Sequence, residues 1–540
     1  MTIADSTVLK GLGVGLNSSV GEVWKVAPHA TLPAWTKTQT NKDAATAQLR
    51  DAIASVAADL DRLGERAGGT SAEIFEALKF LLEDDELFEV ASENLDEGWT
   101  PGAAFGMAVN TFGELLSGDA AFEERVADLQ DLSKRVQAHL AGISMTLDLP
   151  ETGNIVLVGD DFSPADTAQF TDAVIGVVTI KGGPTSHTSI ICRSRSIPAV
   201  VSVAGAADLE NGQTVLVDPV GDRVVVGGNV SDATSAIEFV AVSDEPIIPV
   251  RSNIGTLTDA EAAAKTGADG VGLFRTELLY LSEKTQPSVE QQTASYSSIL
   301  AAAPAGPIVV RTIDAGSDKP VPFLNMGEEE NPSLGVRGYR LIHEHRSFIE
   351  DQLKSLEAAR QATGREVWVM APMIATVQEA QDFCELARSI GKFKVGIMVE
   401  TPSISVLVSD LNGIVDFVSI GTNDLSQYLF AADRMNPALG TLLTPWQPGL
   451  IRTLARIADA GKSAGISVGV CGESASDPTF AVVLAGLGIS SVSASPSQVD
   501  VVRTALSSVD LAKAKNVANR VLEATSPEAA KSAALSALAE

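Results

Sequence analysis

Between residues 247 and 494 the chain alternates short, β-branched apolar runs with longer stretches of helical periodicity. Eight such runs begin near residues 247, 270, 307, 367, 394, 415, 466 and 489, and GVGLF and KVGIMV are typical of them. Strands that alternate with helices form parallel sheets, and eight strands within about 250 residues match a closed (β/α)8 barrel. The pattern therefore predicts a C-terminal TIM barrel over residues 249–540, with an open doubly wound sheet as the alternative.

The first half of the chain shows two different sequence patterns, one typical of strands and one typical of helices. Residues 1–37 and 149–240 contain short Val- and Gly-rich runs, such as GEVWKV and NIVLVGDD, which predict strands. Residues 38–148 instead place Ala, Leu, Asp and Glu at helical spacing. Two strand-rich pieces around a helical insert predict one discontinuous α/β domain that carries an all-α bundle. The segment AVSDEPII, residues 241–248, predicts a linker to the barrel.

The net charge of the chain indicates which kinds of binding partner are favoured. The 540 residues include 39 Lys and Arg against 69 Asp and Glu, so the formal net charge is −30. Nucleic-acid binding needs clustered Lys and Arg, so this composition argues against it and favours a basic protein partner. Residues 38–148 alone hold 22 acidic and eight basic residues. Three distant cysteines, no signal-peptide pattern and no long apolar stretch predict a cytoplasmic protein without membrane insertion.

Polar side chains follow the predicted barrel strands on their C-terminal side. These strand-end residues are Arg275, Arg311 with Asp314, Met373, Glu400, Asn423 with Asp424, and Cys471. The carboxyl ends of barrel strands meet at one mouth, which is where barrel enzymes build their active sites. We therefore expect these side chains to form one site.

Glu400 in GIMVETP and Asp424 in SIGTNDLSQY end successive predicted strands. Two carboxylates without clustered Cys or His are the oxygen ligands that Mg²⁺ prefers, with Mn²⁺ as an alternative ion. Capping of the following helices is the other interpretation of both residues. Four arginines are predicted on the same face: Arg275, Arg311, Arg337 and Arg434. A metal beside several guanidinium groups favours a small polyanion with phosphate and carboxylate groups.

His187 and Cys471 each have two interpretations. His187 follows the predicted strand AVIGVVTI in the segment KGGPTSHTS, with Thr185 or Ser186 as the predicted N-cap. A histidine in the first turn of a helix can carry a phosphoryl group, because free N–H groups and the helix dipole stabilise negative charge. A structural loop histidine is the alternative. Cys471, in GVCGES, is either an inert buried residue or an acid or nucleophile at the barrel mouth.

Long motifs in a fixed order resemble enzyme I of the bacterial phosphoenolpyruvate:sugar phosphotransferase system, the phosphoenolpyruvate-protein phosphotransferases. Among them are GGPTSHTSIICRSRSIPAVV, VVRTIDAGSDK, NPSLGVRGYR, GIMVETPS and FVSIGTNDLSQYLFAADRMNP. The resemblance implies that phosphoenolpyruvate phosphorylates His187 through Nε2 and leaves pyruvate. It also implies that a swivelling N-terminal domain passes the phosphoryl group to the histidine phosphocarrier protein, which docks on the helical bundle. A Mg²⁺ cofactor and a homodimer formed through the C-terminal domain are implied as well.

The resemblance further implies roles for single residues. Glu400 and Asp424 match the Mg²⁺ ligands, Cys471 matches the acid that protonates the enolate, and Thr167, in ADTAQF, matches a threonine that contacts the histidine. The residues that match contacts to phosphoenolpyruvate are Arg275, Arg311, Lys319, Arg337, Asn423 and Arg434. Pro184 departs from the family pattern and removes an N–H donor just before the histidine.

Two other functions fit parts of the pattern. Pyruvate phosphate dikinase and phosphoenolpyruvate synthase share the histidine domain and the barrel, but they need a nucleotide-binding domain of several hundred residues before the histidine. Here 186 residues precede His187, and the largest part of them, residues 38–148, is acidic helix without a Gly-rich phosphate loop. A non-catalytic regulator would bind phosphoenolpyruvate without being phosphorylated, and it would need no protonating acid. The motifs therefore favour the phosphotransferase.

Overall fold

The computed structural model covers the whole chain and forms two compact units, Met1–Ala236 and Ile237–Glu540. The residues it describes are 7–15, 17–26, 32–38, 41–67, 75, 78–116, 123–183, 186–195, 197–234, 237–281, 283–316, 321–324, 326–327, 329–434 and 436–540. The boundary between the units falls just before the predicted linker. The predicted limits of the individual domains stay predictions.

The first unit is built on one mixed sheet. Its strands are β1 (Val8–Lys10), β2 (Leu12–Val14), β3 (Ser19–Lys25), β4 (Ile155–Gly159), β5 (Val174–Thr179), β6 (Ala199–Val201), β7 (Thr214–Asp218) and β8 (Arg223–Val226). They lie in the order β1-β8-β7-β3-β4-β5-β6-β2, with parallel pairs from β3 to β6 and antiparallel pairs elsewhere. Successive residues of β4 enter different apolar clusters, Leu157 on one face and Val156 with Val158 on the other. Burial on both faces explains why this strand reads as a continuous apolar run.

A helical region interrupts the sheet between β3 and β4. Its helices are α1 (Lys42–Ala67), α2 (Asp85–Asp96), α3 (Pro101–Leu116) and α4 (Glu123–Ala141). Leu49, Phe105 and Val136 belong to its own apolar core, so the helices pack on one another as a bundle. Arg135 on α4 forms ion pairs with Asp131 at 2.7 Å and with Asp166, which lies between β4 and β5, at 3.1 Å. This partly buried arginine fixes the bundle to the sheet-bearing part of the unit.

The second unit is a closed parallel barrel. Its strands are β9 (Val250–Ile254), β10 (Val271–Arg275), β11 (Ile308–Arg311), β12 (Val367–Ala371), β13 (Lys394–Val399), β14 (Phe417–Ile420), β15 (Ser467–Val470) and β16 (Ser491–Ala494). Every neighbouring pair is parallel, and β16 pairs with β9 to close the sheet. All eight predicted runs supply a strand, so the predicted α/β barrel is confirmed and the open sheet is excluded.

Helices surround the barrel. Two short helices, α5 (Pro164–Thr167) and α6 (His187–Ser194), complete the first unit. The helices of the barrel unit are α7 (Leu257–Ala263), α8 (Val289–Ala302), α9 (Ile342–Thr363), α10 (Val377–Ile390), α11 (Pro402–Ser405), α12 (Thr422–Phe430), α13 (Pro448–Ala464), α14 (Pro478–Gly486), α15 (Val499–Ser507), α16 (Leu511–Leu522) and α17 (Pro527–Ala539). Capping boxes set several starts, as at Thr256 with Asp259 before α7 and at Thr376 with Glu379 before α10. In the described part of the chain, no helix is both long and apolar enough to cross a membrane.

Two close contacts hold the periphery of the barrel unit. At Gly486 an added Cβ would lie 2.1 Å from the carbonyl oxygen of Ala514, so only glycine lets α16 approach α14 this closely. In the segment 241–248, the N–H groups of Val242 and Ser243 both donate to the carbonyl of Ser507. These bonds tie the start of the unit to the end of α15. The assignment of this segment as a linker stays a prediction.

Candidate active site

The carboxyl ends of all eight barrel strands open at the same mouth, because the strands are parallel throughout. Arg275 ends β10 in register with Arg311 at the end of β11. Glu400 directly follows β13, Asp424 lies in the first turn of α12 after β14, and Cys471 directly follows β15. The barrel therefore brings most of the residues predicted from strand ends to one face.

Arg311 is almost fully buried and is held by two carboxylates. Its Nη1 lies 2.9 Å from Asp314 Oδ2, and its Nη2 donates to Glu277 Oε1. Burial lowers the pKa of this guanidinium, but Asp314, Glu277 and Glu400 together raise the pKa above its ordinary value. Arg311 therefore stays charged at any physiological pH. Its Nε has no hydrogen-bond partner among the described residues.

Arg337 bridges two carboxylates of the mouth. The side chain is 1% exposed, and its Nε and Nη2 donate to Asp314 at 3.2 and 3.0 Å. Its Nη1 donates to Asp424 Oδ1 at 3.1 Å. A buried guanidinium with two carboxylate partners fixes the positions of all three groups, because its donors form a rigid planar fork.

Glu400 is a fully buried carboxylate with one unused oxygen. Its Oε1 accepts a hydrogen bond of 2.6 Å from the main-chain N–H of Met373, and its Oε2 has no partner in the part of the chain that the structure describes. Burial, followed by the nearby charges of Asp424 and Asp314, raises the pKa of Glu400 to about 7. Such a carboxylate is stabilised in its charged form by an added cation.

Glu400 and Asp424 suit a hard divalent cation, although neither belongs to a larger cluster. No group of three or more His, Cys, Asp or Glu side chains arranged for a metal ion occurs among the described residues. The orphaned Oε2 of Glu400 nevertheless offers a ligand oxygen, and Asp424 is close enough to shift its pKa. Oxygen ligands and open positions for water and substrate are what Mg²⁺ requires.

Asp424, Asn423 and Arg434 lie around the start of α12. Asp424 is 6% exposed, and Arg434 Nη1 is 3.8 Å from its Oδ1. The main-chain N–H of Arg434 donates to Gln427 Oε1 at 3.0 Å, which anchors the loop after α12. Asn423 Oδ1 accepts a hydrogen bond of 3.3 Å from the N–H of Glu473, and its amide NH₂ forms no hydrogen bond with a described residue, so it is available as a donor. Asn423 thereby joins the loops after β14 and β15.

Cys471 lies in the barrel interior and is 1% exposed. It belongs to the apolar cluster of Leu273, Val309, Met370 and their neighbours inside the barrel. Burial raises the pKa of its thiol, and a hydrogen bond with Ser419 lowers it by less. The group is therefore a neutral S–H at pH 7. A neutral thiol can give up a proton to a basic carbon, whereas a thiolate nucleophile is disfavoured here.

Two predicted substrate contacts complete the mouth. Arg275 is partly buried and forms no hydrogen bond or ion pair with any described residue, so its guanidinium is open to an anionic ligand. Lys319 lies outside the described residues. Asp314 and Met373 were expected at the mouth from their places after β11 and β12, and the structure gives them supporting roles there as the partner of Arg337 and the donor to Glu400. The sequence pattern did not indicate Glu277, because it lies in RTELL, which has the pattern of a helix start.

The first unit places His187 at the first residue of α6, directly after the loop that follows β5. Its side chain, like Thr185 and Pro184, lies outside what the structure describes. Ser186 is the N-cap and accepts from the N–H of Ser189, as predicted. Ser189 Oγ in turn donates to the carbonyl of Gly183 at 2.6 Å. This bond holds Gly183 near the start of α6, where the free N–H groups favour an anion.

Thr167 ends α5, a short helix that packs on α6. Its fully buried hydroxyl donates to the carbonyl of Pro164 at 2.7 Å, so the lone pairs of Oγ1 remain able to accept a hydrogen bond. The neighbouring Thr188 donates to Asp161 Oδ1 at 2.7 Å, which fixes α6 to the loop before α5. A role of Thr167 in positioning His187 stays a prediction.

Comparison with known proteins decides the family. Models of phosphoenolpyruvate-utilising enzymes match residues 10–140 (N-terminal), 151–220 (mobile domain) and 233–511 (phosphoenolpyruvate-binding domain). A phosphoenolpyruvate-protein phosphotransferase of Streptomyces coelicolor is 39% identical over 98% of this chain and 99% of its own length. The chain belongs to the phosphoenolpyruvate-protein phosphotransferase family.

Other members of this phosphotransferase family give the same result. Those of Haloferax volcanii and Bacillus subtilis are 35% and 31% identical, each over 96% of this chain and over 97% and 98% of their own lengths. The predicted family and the prediction that the chain is an enzyme are confirmed. The roles of single residues in this phosphotransferase, including those of His187, Glu400 and Cys471, are not decided by family membership.

Proposed function

We propose that the chain transfers the phosphoryl group of phosphoenolpyruvate to His187, releases pyruvate, and passes the phosphoryl group to the histidine phosphocarrier protein. The observation that carries this proposal is the mouth of the barrel, where four arginines lie among four buried carboxylates, those of Glu277, Asp314, Glu400 and Asp424. One of those carboxylates, Glu400, has an oxygen without a partner among the described residues. This is an arrangement for a small polyanion together with a cation.

The arginines would bind the substrate. Arg275 has no partner among the described residues, and Arg311 and Arg434 lie on the same face, so their donors suit the phosphate and carboxylate oxygens of phosphoenolpyruvate. Asn423 offers its amide NH₂ beside them. Arg337, held by Asp314 and Asp424, would place a fixed positive charge there at no cost of rearrangement. A contact between Lys319 and phosphoenolpyruvate is supported only by the resemblance to the enzyme I family.

Glu400 and Asp424 would hold the Mg²⁺ ion, with Mn²⁺ as an alternative. When bound, the ion neutralises charge on the oxygens of the transferring phosphoryl group. The carboxylates themselves fix its place: the N–H of Met373 holds Glu400, and Arg337 holds Asp424.

In the transfer step, Nε2 of His187 forms a bond to phosphorus as the bond between phosphorus and the enol oxygen breaks. In-line transfer of this kind depends on positioning and charge neutralisation. The start of α6 stabilises the added negative charge. Thr167 Oγ1, already a donor to Pro164, would accept from Nδ1–H of His187 and so keep Nε2 unprotonated for attack.

Pyruvate forms when the enolate takes up a proton at its terminal carbon. We assign that proton to the thiol of Cys471, whose electron pair stays on sulfur until the thiolate is reprotonated. Burial raises the pKa of this thiol, so the S–H form is present at the start of every cycle. Because burial also disfavours the thiolate, reprotonation is downhill.

The helical bundle would bind the phosphocarrier protein. Exposed acidic residues attract a basic partner over several ångströms, which speeds and orients encounter. Phe80 is 77% exposed on this bundle, with the exposed Glu83 and Glu86 following it in sequence. A large apolar side chain among charges is typical of a binding hot spot. His187 must meet both phosphoenolpyruvate and the carrier, so we infer that the first unit swivels relative to the barrel.

The assembly would be a homodimer formed through the C-terminal unit. Sedimentation of the full chain and of residues 237–540 tests this directly. Dimers are expected from both, and a monomeric barrel unit at high concentration would contradict the assignment.

The decisive experiment is labelling with phosphoenolpyruvate that carries ³²P, in the presence of Mg²⁺. The wild-type chain should acquire one acid-labile label, and His187→Ala should acquire none. His139→Ala is the matched control, because His139 is an exposed histidine on α4. Adding the phosphocarrier protein should move the label to that protein.

Other outcomes identify the rival functions. Binding of phosphoenolpyruvate without any label would indicate a regulator. Formation of phosphoenolpyruvate from pyruvate and ATP would indicate a dikinase or a synthase. Full labelling of His187→Ala would show that another residue carries the phosphoryl group.

A further inference from the structure

A cavity of about 130 Å³ opens inside the barrel around the amino-terminal parts of its strands and extends inward as far as Ser419, the hydrogen-bond partner of Cys471. Its lining includes Arg251 and Trp368, each the second residue of its strand, and Ser467 and Ser491, each the first. The interior of such a barrel is ordinarily filled by bulky branched side chains. Here one side of it carries small polar residues instead, and space remains.

Arg251 brings an uncompensated positive charge to this cavity. The side chain is partly buried, and its Nε is buried without a hydrogen-bond partner among the described residues. The only contact the structure records for its guanidinium within the described chain is with the face of Trp368, whose ring centre is 5.0 Å from Cζ. Burial lowers the pKa of Arg251, as expected of a cation that is desolvated without a close counter-ion.

The two carboxylates whose charges act on Arg251 are those of Asp269 and Glu366, and both are engaged by other cations. Asp269 lies 2.9 Å from Nη1 of Arg503 and also accepts from the N–H of Val250. Glu366 pairs with Lys394 at 3.5 Å and accepts from the indole N–H of Trp368. Both carboxylates offset the desolvation of Arg251 only at a distance. Neither carboxylate pairs directly with Arg251, so its guanidinium brings an unpaired positive charge to the cavity.

Hydroxyl groups supply further donors. Ser493 Oγ is committed to Asn253 Oδ1 at 2.7 Å, and Ser490 Oγ to the carbonyl of Val468 at 2.8 Å. Ser467 and Ser491, by contrast, form no side-chain hydrogen bond with any described residue. Gly469 leaves space beside the hydroxyl of Ser491, because a Cβ at residue 469 would lie 3.0 Å from Ser491 Oγ.

We propose that this cavity is a binding site for a small oxyanion of the phosphate class, held by the guanidinium of Arg251 and the hydroxyls of Ser467 and Ser491. A guanidinium and hydroxyl donors match the oxygens of such an ion. The positive charge disfavours a metal cation, and the serines disfavour an apolar ligand. The volume admits a small ion with one or two waters. The site is separate from the phosphotransfer site and does not depend on the proposed function.

Titration of the full chain with inorganic phosphate, at constant ionic strength with chloride as the replacement ion, tests the proposal. The emission of Trp368 is the reporter, because the guanidinium that binds the ion lies over its ring. The chain has five tryptophans, so Trp368→Phe defines the part of the signal that belongs to this site. Arg275→Met separates it from phosphate that binds at the opposite mouth.

Wild type and Arg275→Met should both give a saturable Trp368 signal. Arg251→Met should bind phosphate about tenfold more weakly or worse, since a hydrogen-bonded charge pair is lost. Ser491→Ala keeps the charge and should weaken binding by less. Equal affinity in Arg251→Met, or a wild-type signal that never saturates, would overturn the proposal and leave the cavity to water alone.

Thermal unfolding gives a second readout that does not rely on fluorescence. In chloride, Arg251→Met should melt no lower than wild type, because an uncompensated buried charge is removed. In saturating phosphate the wild type should gain more stability than Arg251→Met by mass action, because phosphate at the opposite mouth stabilises both proteins equally. An equal gain in both proteins would contradict the assignment. If Arg251→Met is misfolded in chloride, Ser491→Ala and Arg251→Lys decide the result by their phosphate affinities.

Discussion

The main-chain N–H of Met373 donates to Oε1 of Glu400 at 2.6 Å. Met373 adopts φ +58°, a left-handed conformation that few non-glycine residues take, and this turn directs its N–H at the carboxylate. It is the one hydrogen bond recorded for Glu400 within the described chain, and the other oxygen is left unpaired. One donor does not balance full burial and two neighbouring carboxylates, so the pKa of Glu400 rises to about 7.

The first prediction concerns stability without metal. In the unfolded chain Glu400 titrates near its ordinary value of 4.5, and in the folded chain near 7. Between these values the folded state holds a proton that the unfolded state has released, so stability from this group falls as pH rises. Glu400→Gln should therefore be more stable than wild type by roughly 1–3 kcal/mol above pH 7, and equal below pH 4.5.

Denaturant unfolding of residues 237–540 in chelator, from pH 4 to 8, measures this difference. Glu261→Gln is the control, because Glu261 is an exposed glutamate on α7 and should show no such trend. A constant difference between Glu400→Gln and wild type across the range would refute the shifted titration.

The second prediction adds Mg²⁺ to the same proteins. The ion should stabilise wild type by mass action, and the gain should grow with pH as the carboxylate loses its proton. Glu400→Gln lacks a ligand charge and should gain little. Equal stabilisation of both proteins at pH 8 would remove Glu400 from the metal site.

Whether a feature of the fold or of the candidate site can be predicted from the sequence depends on how far apart in the chain its interacting residues lie. Several barrel strands, among them β10, β11, β13 and β14, are predictable because they are buried on both faces along most of their length and therefore appear as short apolar runs. The ion pair of Arg337 with Asp424 joins residues 87 positions apart, and no local pattern encodes it. Glu277 is hidden for a related reason, since its buried contact with Arg311 exists only after β10 and β11 pair.

The third prediction follows from that long-range bridge. Arg337→Met leaves Asp314 and Asp424 without their shared cation in a buried site, which should lower the free energy of unfolding of the barrel unit by about 3–5 kcal/mol. Arg346→Met is the control, because Arg346 pairs with Glu350 on the exposed side of α9 and should cost less than about 1 kcal/mol. Similar losses in both variants would mean that the bridge contributes no more than a surface pair.

The fourth prediction concerns the helical bundle. Phe80→Ala should weaken binding of the phosphocarrier protein by about tenfold or more if this exposed ring is a hot spot. Raising the salt concentration should slow association of wild type and Phe80→Ala alike, because the acidic surface remains in both. Val8→Ala is the control, since Val8 is an exposed apolar residue on β1, outside the bundle. Unchanged affinity in Phe80→Ala would place the interface elsewhere.

The last prediction tests Cys471 as the proton donor. Cys471→Ser keeps the shape of the side chain and the arginines of the mouth, so phosphoenolpyruvate should bind with unchanged affinity. The hydroxyl is a much weaker acid than the thiol, and general acid catalysis is worth about 10²- to 10⁴-fold, so kcat should fall by a factor in that range.

Cys384 supplies the matched control for this substitution. It is a buried free cysteine on α10, and burial raises the pKa of its thiol to about 11, but it lies outside the mouth. Cys384→Ser should therefore cost some stability and leave kcat unchanged. Pre-steady-state formation of pyruvate, measured for both variants with the same phosphoenolpyruvate, separates the two effects, because only loss of the acid slows turnover without changing substrate affinity. A kcat near that of wild type in Cys471→Ser would make Cys471 a packing residue and assign the proton to another group.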